Sequence, residues 1–234
     1  MISGTLHDAS WLVTDRTAGD SQGAFAFNNL AVHVGDDASA VASNRAALAR
    51  AARVDSVVFA RAAHSRTVGY VDGPGGDVPG CDALITDRTG VALAAQGADC
   101  VPLALATADG WVAAVHCGWK GVVAGVVPAT FGALRERGAE VAGASAHLGP
   151  SICAKCYTVD RGRALEVAAL VPEAVTFTGR GGHIDLRAAV TAQLRSGGLR
   201  DITGDDRCTA ETAELYSYRR DGLTGRHAIV VVRR

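Results

Sequence analysis

Two apolar runs lie in the middle of the chain, separated by a short polar turn. The stretch 95–116 reads AQGADCVPLALATADGWVAAVH, and a Cys-Gly-Trp-Lys-Gly segment follows it. Both runs are too short for typical helices and long enough for buried strands. Cys100 and His116 stand at the polar ends of these runs. The pattern therefore predicts two strands that gather chemically active side chains at the rim of a sheet.

Shorter runs of apolar and β-branched residues predict further strands on both sides of this region. A segment rich in glycine and proline, 72–80, is typical of an irregular surface loop. The additional strands are expected at 11–16, 24–28, 57–60, 67–71, 81–87 and 226–232.

Four segments have helical character. The Ala-rich stretch 38–53 follows Asp36 and Asp37, which are suitable N-terminal caps, and 186–195 follows Asp185. We also expect helices at 161–170 and at 122–137, the latter despite an internal proline and ending before Gly138.

Composition indicates a globular chain that binds a small molecule. The 234 residues are 48% hydrophobic and contain no Pro/Ser linker, so we expect one domain over 1–234. The formal net charge is −1, whereas proteins that bind nucleic acid usually carry an excess of lysine and arginine. The N-terminus shows no export signal and no apolar run is long enough to span a bilayer. We therefore predict a cytoplasmic monomer or small homo-oligomer that contacts neither nucleic acid nor membrane.

His64, Cys100 and His116 could supply the three nitrogen or sulfur ligands of a catalytic zinc site, which leaves the fourth position open. Their spacing matches no short zinc-finger pattern, so the residues alone do not decide. Cys100 could instead be a nucleophile with His116 as its base, because a thiolate forms readily beside an imidazole.

Several other residues admit two interpretations. Arg45 lies in a predicted helix and could be a solvated charge, while Arg219 and Arg220 could bind an anion or form a solvated edge. Cys153 and Cys156 form a C-x-x-C, but no second C-x-x-C or histidine pair follows to complete a structural zinc site, which disfavours metal there. No H-x-E accompanies this C-x-x-C, so a cytidine-type deaminase is also disfavoured.

The motifs together resemble one family over nearly the whole chain. ADCVPL and AAVHCGWKG resemble segments of the YfiH-like laccase-domain family, which is also known as polyphenol oxidases or purine nucleoside phosphorylases. FNNLAVHVGDD, CDALIT, LGPSICAKCYTVD and SYRR followed by TGR occur in the order expected for that family.

The resemblance implies an α+β fold in which mixed β-sheets pack between helical layers as an α/β/β/α sandwich. It implies a metal, zinc or alternatively copper, held by His64, Cys100 and His116. The implied activity is phosphorolysis of adenosine, inosine and methylthioadenosine to a free purine and ribose 1-phosphate, with adenosine deamination in some members.

Phosphorolysis requires an anion pocket and stabilisation of the departing base. We expect catalytic roles for Cys100, His116 and Lys120, and the cationic candidates for phosphate are Arg45, Lys120, Arg219 and Arg220. The chain departs from the family at 62–63, where Ala-Ala replaces Gln-Val, and at Lys120, where arginine is common. Substrate preference is therefore expected to differ.

Three alternative functions remain open at the level of sequence. The first is a copper-dependent polyphenol oxidase, although a single three-ligand site makes multi-electron reduction of oxygen hard to explain. The second is a cysteine hydrolase or editing factor that acts on peptidoglycan precursors, with Cys100 as nucleophile. The third is a binding module whose metal is structural.

Overall fold

Two six-stranded sheets stacked face to face form the centre of the protein in the computed structural model, which describes residues 1–234. The strands are β1 (Ile2–Leu6), β2 (Ala9–Val13), β3 (Val57–Arg61), β4 (Val68–Tyr70), β5 (Asp77–Pro79), β6 (Ala83–Thr86), β7 (Ala92–Gly97), β8 (Val101–Ala106), β9 (Val112–Cys117), β10 (Ser145–Leu148), β11 (Thr158–Asp160), β12 (Val175–Phe177), β13 (Gly181–Ile184), β14 (Asp201–Gly204) and β15 (His227–Arg233). Sheet 1 has the order β1-β2-β15-β7-β3-β5 and sheet 2 the order β14-β10-β8-β9-β6-β4, and β11-β13-β12 form a small third sheet.

Helices cover the outer faces of both sheets. They are α1 (Ala38–Ala52), α2 (Trp119–Ala124), α3 (Val126–Glu136), α4 (Arg161–Ala168), α5 (Leu186–Ser196) and the short α6 (Tyr218–Asp221), with 3₁₀ turns at Gly23–Phe25 and Pro172–Ala174. Helix α1 packs on sheet 1, whereas α3 and α5 pack on sheet 2. The α/β/β/α sandwich expected from the sequence is therefore confirmed.

The uninterrupted apolar runs follow from burial of both faces of the central strands. In β8, Val101, Leu103 and Leu105 pack towards the helices, while Ala104 and Ala106 face sheet 1. Strands β7, β8 and β9 are buried at every position. A strand covered on both faces reads as a continuous apolar run instead of an alternating one.

The predicted helix at 122–137 is two helices. Gly125 takes a left-handed backbone with φ +81°, ends α2 and begins α3. Pro128 then falls in the first turn of α3, where a missing N–H costs no intrahelical hydrogen bond. The predicted caps are confirmed, since Asp37 accepts from Ser39 N and Ala40 N, and Asp185 accepts from Ala188 N. No helix has both the length and the apolar character that crossing a bilayer requires.

Two local predictions were wrong. The segment 24–28 is not a strand, because its residues are partly or fully exposed and the Phe27 carbonyl accepts from Ser21 N and the Asn44 side chain. The segment 72–80 is not wholly irregular, because Asp77–Pro79 pairs in parallel with β3 as an edge strand of sheet 1. Proline is compatible with a sheet at an edge, where its missing N–H has no partner to lose.

The contact between α3 and α5 gives a test of packing. A methyl group added at Gly197, just after α5, would overlap the Phe131 ring of α3. We expect Gly197→Ala to lower the free energy of unfolding by about 1–3 kcal/mol, as overpacking of a tight core usually does. Urea denaturation checks this value.

Gly132→Ala is the matched control, because nothing lies within 4 Å of the added methyl in α3. It should leave stability unchanged or raise it by up to about 1 kcal/mol, since glycine disfavours a helix interior. Equal effects of the two substitutions would contradict the proposed packing.

Candidate metal centre

Cys100 and His116 meet because β8 and β9 form an antiparallel pair. Pro102 lies opposite His116 and Val101 opposite Cys117, so the residue before β8 is adjacent to the end of β9. His64 approaches from the loop that follows β3, with a left-handed backbone at φ +57°. The ligand atoms of His64, Cys100 and His116 all lie within 4.8 Å of one another. We refer to these three residues as the triad.

The buried carboxylate of Asp82 holds two members of the triad in position. Its Oδ1 accepts from the backbone N of His64 (3.0 Å) and lies 3.0 Å from Nδ1 of His116. Its Oδ2 accepts from Ala63 N (3.1 Å) and from both N and Oγ of Ser65 (2.8 and 2.7 Å). Because Nδ1 of His116 is engaged by the carboxylate, Nε2 is left to face a metal, a common arrangement around histidine ligands.

Gly118 leaves space for the three side chains of the triad because it has no β-carbon. A β-carbon at this position would lie 2.9 Å from Cδ2 of His64, 3.0 Å from Sγ of Cys100 and 3.3 Å from Cε1 of His116. Any side chain here would push against all three ligand residues at once. The glycine of the Cys-Gly-Trp-Lys segment is therefore required by close approach to the triad.

The triad forms an ion pair in the absence of metal. Burial acts to raise the pKa of the Cys100 thiol, but the His116 and His64 rings outweigh it and lower this pKa to about 6. Burial likewise acts to lower the pKa of His116, but Cys100 and Asp82 raise it to about 9. Five hydrogen-bond contacts outweigh the burial of Asp82 and hold its pKa at about 2. Cys100 is thus a thiolate, the form that binds metals, at neutral pH.

The triad opens into a cavity of about 420 Å³, within the range of small-molecule sites. Aromatic, cationic and amide side chains share its wall with the three ligand residues. The lining includes His33, Gln96, Asp99, Trp119, Tyr157, Arg163, Tyr218, Arg219 and Arg226.

The cations expected from the sequence divide into one that lines this cavity and three that do not. Arg219 lines it, with its Nη1 donating to the carbonyls of Cys156 (3.2 Å) and Thr158 (2.9 Å). Lys120 is exposed on α2 and lies outside the lining.

Arg45 and Arg220 lie outside the lining and are occupied by structural contacts. Arg45 pairs with Asp77 at 2.6 Å, and its guanidinium lies over the Phe59 ring. Arg220 pairs with Asp221 and donates to three main-chain carbonyls between 209 and 215. These contacts leave neither guanidinium directed into the cavity.

Sequence reasoning missed Arg163 and Arg226, which line the cavity, and the carboxylate of Asp82 behind it. The Nε of Arg163 is buried without a hydrogen-bond partner, and its guanidinium lies over Trp119 at 4.7 Å. Arg163 is in the first turn of a predicted helix and Arg226 in the TGR segment, but no spacing in the chain connects either to the triad. Asp82 stands in CDALIT, inside the predicted strand 81–87, and a charged residue within that apolar run was the available signal.

Asp99 joins the triad to the C-terminal segment. Its Oδ1 accepts from the hydroxyls of Thr209 (2.6 Å) and Ser217 (2.7 Å), and its Oδ2 accepts from Arg219 N (2.6 Å). Its own carbonyl accepts from Ile152 N. One residue next to Cys100 therefore fixes two further walls of the cavity.

Comparison with known proteins agrees with this architecture. A family model described as multi-copper polyphenol oxidoreductase laccase matches residues 10–234. The chain belongs to this family. The laccase-type family includes the solved structure of YlmD from Geobacillus stearothermophilus, with a TM-score of 0.90 and 33% identity over 97% of this chain and 92% of that one. The structure of YfiH from Bacillus licheniformis also has a TM-score of 0.90, at 27% identity over 97% and 93% of the two chains.

Curated relatives of this laccase-type chain carry a different functional name. A purine nucleoside phosphorylase of Streptomyces coelicolor is 44% identical over 230 residues, which cover 96% of this chain and 95% of the relative. A purine nucleoside phosphorylase of Corynebacterium glutamicum is 41% identical over 225 residues, covering 93% and 92%. The functional name of these relatives supports the conclusion that this chain is an enzyme.

The position of Asp82 predicts the effect of removing its charge. In Asp82→Asn, an amide NH₂ group would replace one carboxylate oxygen and would face N–H and O–H groups that now donate hydrogen bonds to that oxygen. We expect the variant to bind zinc about 10- to 100-fold more weakly, the usual cost of losing a partner of a metal ligand. Competition with a chromogenic chelator measures this affinity.

Asp37→Asn, at the N-cap of α1, serves as control because asparagine caps helices as well as aspartate does. It should leave zinc affinity unchanged. Unchanged affinity in Asp82→Asn as well would refute the organising role of the carboxylate.

The ion pair of the triad predicts a pH profile for the metal-free protein. Since the pKa of Cys100 is lowered to about 6, the thiolate persists from alkaline pH down to that value and is lost below it. Alkylation of Cys100 by iodoacetamide, followed by mass spectrometry, should therefore fall with a midpoint near pH 6.

Cys117 is the internal control, because burial raises the pKa of its thiol and the residue is inaccessible. It should remain unmodified over the same range. A Cys100 midpoint at the ordinary pKa of a free cysteine, about 8.5, would contradict the ion pair.

Proposed function

We propose that the protein is a zinc-dependent purine nucleoside phosphorylase. The observation that carries the proposal is a His-Cys-His triad open to a cavity that arginines and aromatic rings line. Relatives of 41–44% identity that bear this functional name support it. The proposed substrates are adenosine, inosine and methylthioadenosine, with phosphate as the second substrate and adenosine deamination as a further activity.

The triad fits zinc in ligand type and number. A thiolate and two imidazoles are ligand types that zinc binds, and three protein ligands with a fourth position facing a cavity match the open geometry of catalytic zinc sites. A zinc ion bound there supplies Lewis acidity and lowers the pKa of water. The chain itself supplies the thiolate form of Cys100 and the fixed ring of His116.

Arg163 and Arg219 are our proposed phosphate ligands. Both line the cavity, and the buried Nε of Arg163 makes no hydrogen bond, since the nearest carboxylate oxygen, Oδ2 of Asp160, lies 3.9 Å away. The guanidinium fork matches phosphate oxygens, and a charged donor in a partly closed site stabilises an anion more strongly than in water. In phosphorolysis an oxygen of the phosphate forms a bond to C1′ of the ribose as the bond from C1′ to the purine nitrogen breaks. Holding phosphate against C1′ is the task of these arginines.

Recognition of the purine is assigned to Trp119, Tyr157, Tyr218 and Gln96. The three rings offer faces for stacking, and the buried Nε2 of Gln96 lacks a protein partner and can donate to the nucleoside. Burial, followed by the charge of Cys100, raises the pKa of Tyr157 to about 12, so its phenol stays protonated as a donor.

A copper-dependent polyphenol oxidase is the second candidate, favoured by the description of the matching family model. The ligand set argues against it. The two groups of side chains able to hold a metal contain two histidines in total, both in the triad. Four-electron reduction of oxygen in multicopper enzymes uses several histidine-rich centres, which this chain does not assemble.

A cysteine hydrolase is the third candidate, favoured by the thiolate of Cys100 beside a protonated His116. It predicts activity in the metal-free protein that is lost when zinc occupies the thiolate. The phosphorylase predicts the reverse dependence on zinc.

The decisive experiment is incubation of zinc-loaded protein with adenosine, with and without phosphate. We expect adenine and ribose 1-phosphate only when phosphate is present, and neither product from Cys100→Ala. Chromatography of both products provides the measurement. No base release from adenosine, inosine or methylthioadenosine by protein shown to contain zinc would overturn the proposal.

The phosphate site has its own test. We expect Arg163→Ala to raise the KM for phosphate roughly 10- to 100-fold, the equivalent of a charged hydrogen bond of about 1.5–3 kcal/mol. The KM for the nucleoside should change much less. Steady-state kinetics with each substrate varied in turn separates the two values.

Arg161→Ala is the matched control, an exposed arginine on the same helix but outside the cavity. It should leave both KM values unchanged. Lys120→Ala tests the catalytic role that the sequence predicts for Lys120. A fall in kcat in this variant would support that role. Equal effects of Arg163→Ala and Arg161→Ala would remove Arg163 from the phosphate site.

A further inference from the structure

A second group of metal-binding side chains lies outside the triad. The thiols of Cys153, Cys156 and Cys208 and the carboxylate of Glu211 each place one ligand atom within 4.8 Å of the others. All three cysteines are free, and their exposure ranges from partial to none. We refer to these four residues as the thiol cluster. Cys153 and Cys156 form the C-x-x-C motif. A metal site there was disfavoured by the sequence because no second C-x-x-C or histidine pair follows it.

The two halves of the thiol cluster have the same backbone geometry. The carbonyl of Cys153 accepts from the N of Cys156 (3.1 Å), and the carbonyl of Cys208 accepts from the N of Glu211 (3.1 Å). Each turn brings the first and fourth residue to one side. The chain thus presents C-x-x-C and C-x-x-E as two equivalent turns that point their side chains at a common centre, and a C-x-x-C spacing is typical of structural zinc.

The cluster joins two segments that are distant in sequence. Ser151 and Cys208 form an isolated parallel β-bridge, and Cys153 N donates to Sγ of Cys208 at 3.3 Å. An N–H aimed at a cysteine sulfur stabilises the thiolate form, which is the form that binds zinc.

Two basic side chains lie beside the cluster. Lys155 Nζ lies 3.3 Å from Oε1 of Glu211, and the guanidinium of Arg220, which pairs with Asp221, donates to the carbonyls of Thr209 and Thr212 beside Cys208. Three thiolates and a carboxylate around a divalent ion leave a net charge of −2. The charge of Lys155 offsets part of it.

We propose that Cys153, Cys156, Cys208 and Glu211 form a second, structural zinc site with all four tetrahedral positions filled by protein. Three sulfur ligands and one carboxylate oxygen suit zinc, and binding releases the thiol protons to solvent. The site ties the segment after β10 to the segment that leads into α6. The first segment carries Ile152 and Tyr157, α6 carries Tyr218 and Arg219, and all four residues line the cavity. The bound ion holds two cavity walls together from behind and does not contact the substrate.

Metal stoichiometry of the reduced protein tests the proposal. We expect two zinc ions per wild-type chain, one in Cys156→Ala, one in Cys100→Ala and none in the double variant. Cys81→Ala is the matched control, because Cys81 is a buried thiol that belongs to neither group, and it should retain two. Elemental analysis after removal of loosely bound metal gives the counts.

A second experiment keeps all four residues of the thiol cluster unchanged, so its result does not depend on whether Cys156→Ala folds. Metal-free, reduced Cys100→Ala protein is titrated with zinc, alkylated and mapped by mass spectrometry. One equivalent of zinc should protect Cys153, Cys156 and Cys208 together, and replacement by Co²⁺ should produce a thiolate-to-cobalt absorption band. Removal of this ion should lower the Tm.

The proposal is overturned by a single zinc in the wild type that disappears with Cys100→Ala, by alkylation of the three thiols irrespective of zinc, or by a disulfide among them in freshly purified protein. None of these measurements uses nucleoside turnover. Failure of the second site is therefore distinguishable from failure of the phosphorylase proposal.

Discussion

The contacts of the Asp82 carboxylate are the interaction on which the candidate site depends. Its two oxygens receive three main-chain N–H groups, one hydroxyl and one imidazole, which come from the loop after β3 and from β9. The loop crosses from β3 of sheet 1 to β4 of sheet 2, and β9 lies in sheet 2, so the carboxylate fixes this crossing to sheet 2 at the triad. A buried charge is tolerated because every donor around it is directed at an oxygen.

Asp99 has the corresponding role on the opposite side of the triad. It follows β7 of sheet 1 and precedes β8 of sheet 2, at the crossing between the sheets. Its carboxylate collects Thr209, Ser217 and Arg219 from the C-terminal segment. Two aspartates thus set the positions of the groups around Cys100, and the cavity wall that includes Asp99 also carries Arg163, Arg219 and Arg226.

Close packing of the two sheets supports the strand ends that carry the triad. Small residues such as Ala95, Ala104 and Ala114 fill the space between the sheets and let them approach closely. Larger side chains of β8 and β9 pack outwards against the helices. Close packing on both faces resists displacement of the strand ends that carry Cys100 and His116. The segments beyond those ends carry the thiol cluster, where the proposed second zinc ion would add a connection.

The sequence by itself determined β8, β9, the capped helices α1 and α5, and a candidate ligand set. Apolar runs too short for helices predicted β8 and β9, and their antiparallel pairing brings Cys100 beside His116 because a hairpin returns the chain to its starting edge. Caps at Asp37 and Asp185 were readable because capping is a local interaction. The residues alone offered His64, Cys100 and His116 as one of two interpretations, and the resemblance to a family selected that set and supplied the layered architecture.

Only the tertiary structure decided which distant residues share the site. Asp82, Arg163 and Arg226 reach the triad or its cavity from separate segments, and no periodicity relates their positions. Arg45 and Arg220 are equally cationic in sequence, yet both lie outside the cavity lining, where Arg45 pairs with Asp77 and Arg220 donates to main-chain carbonyls. Cys208 and Glu211 complete the thiol cluster across a β-bridge. Local patterns fix local structure, but the free donors and the shared ligands depend on contacts between segments far apart in the chain.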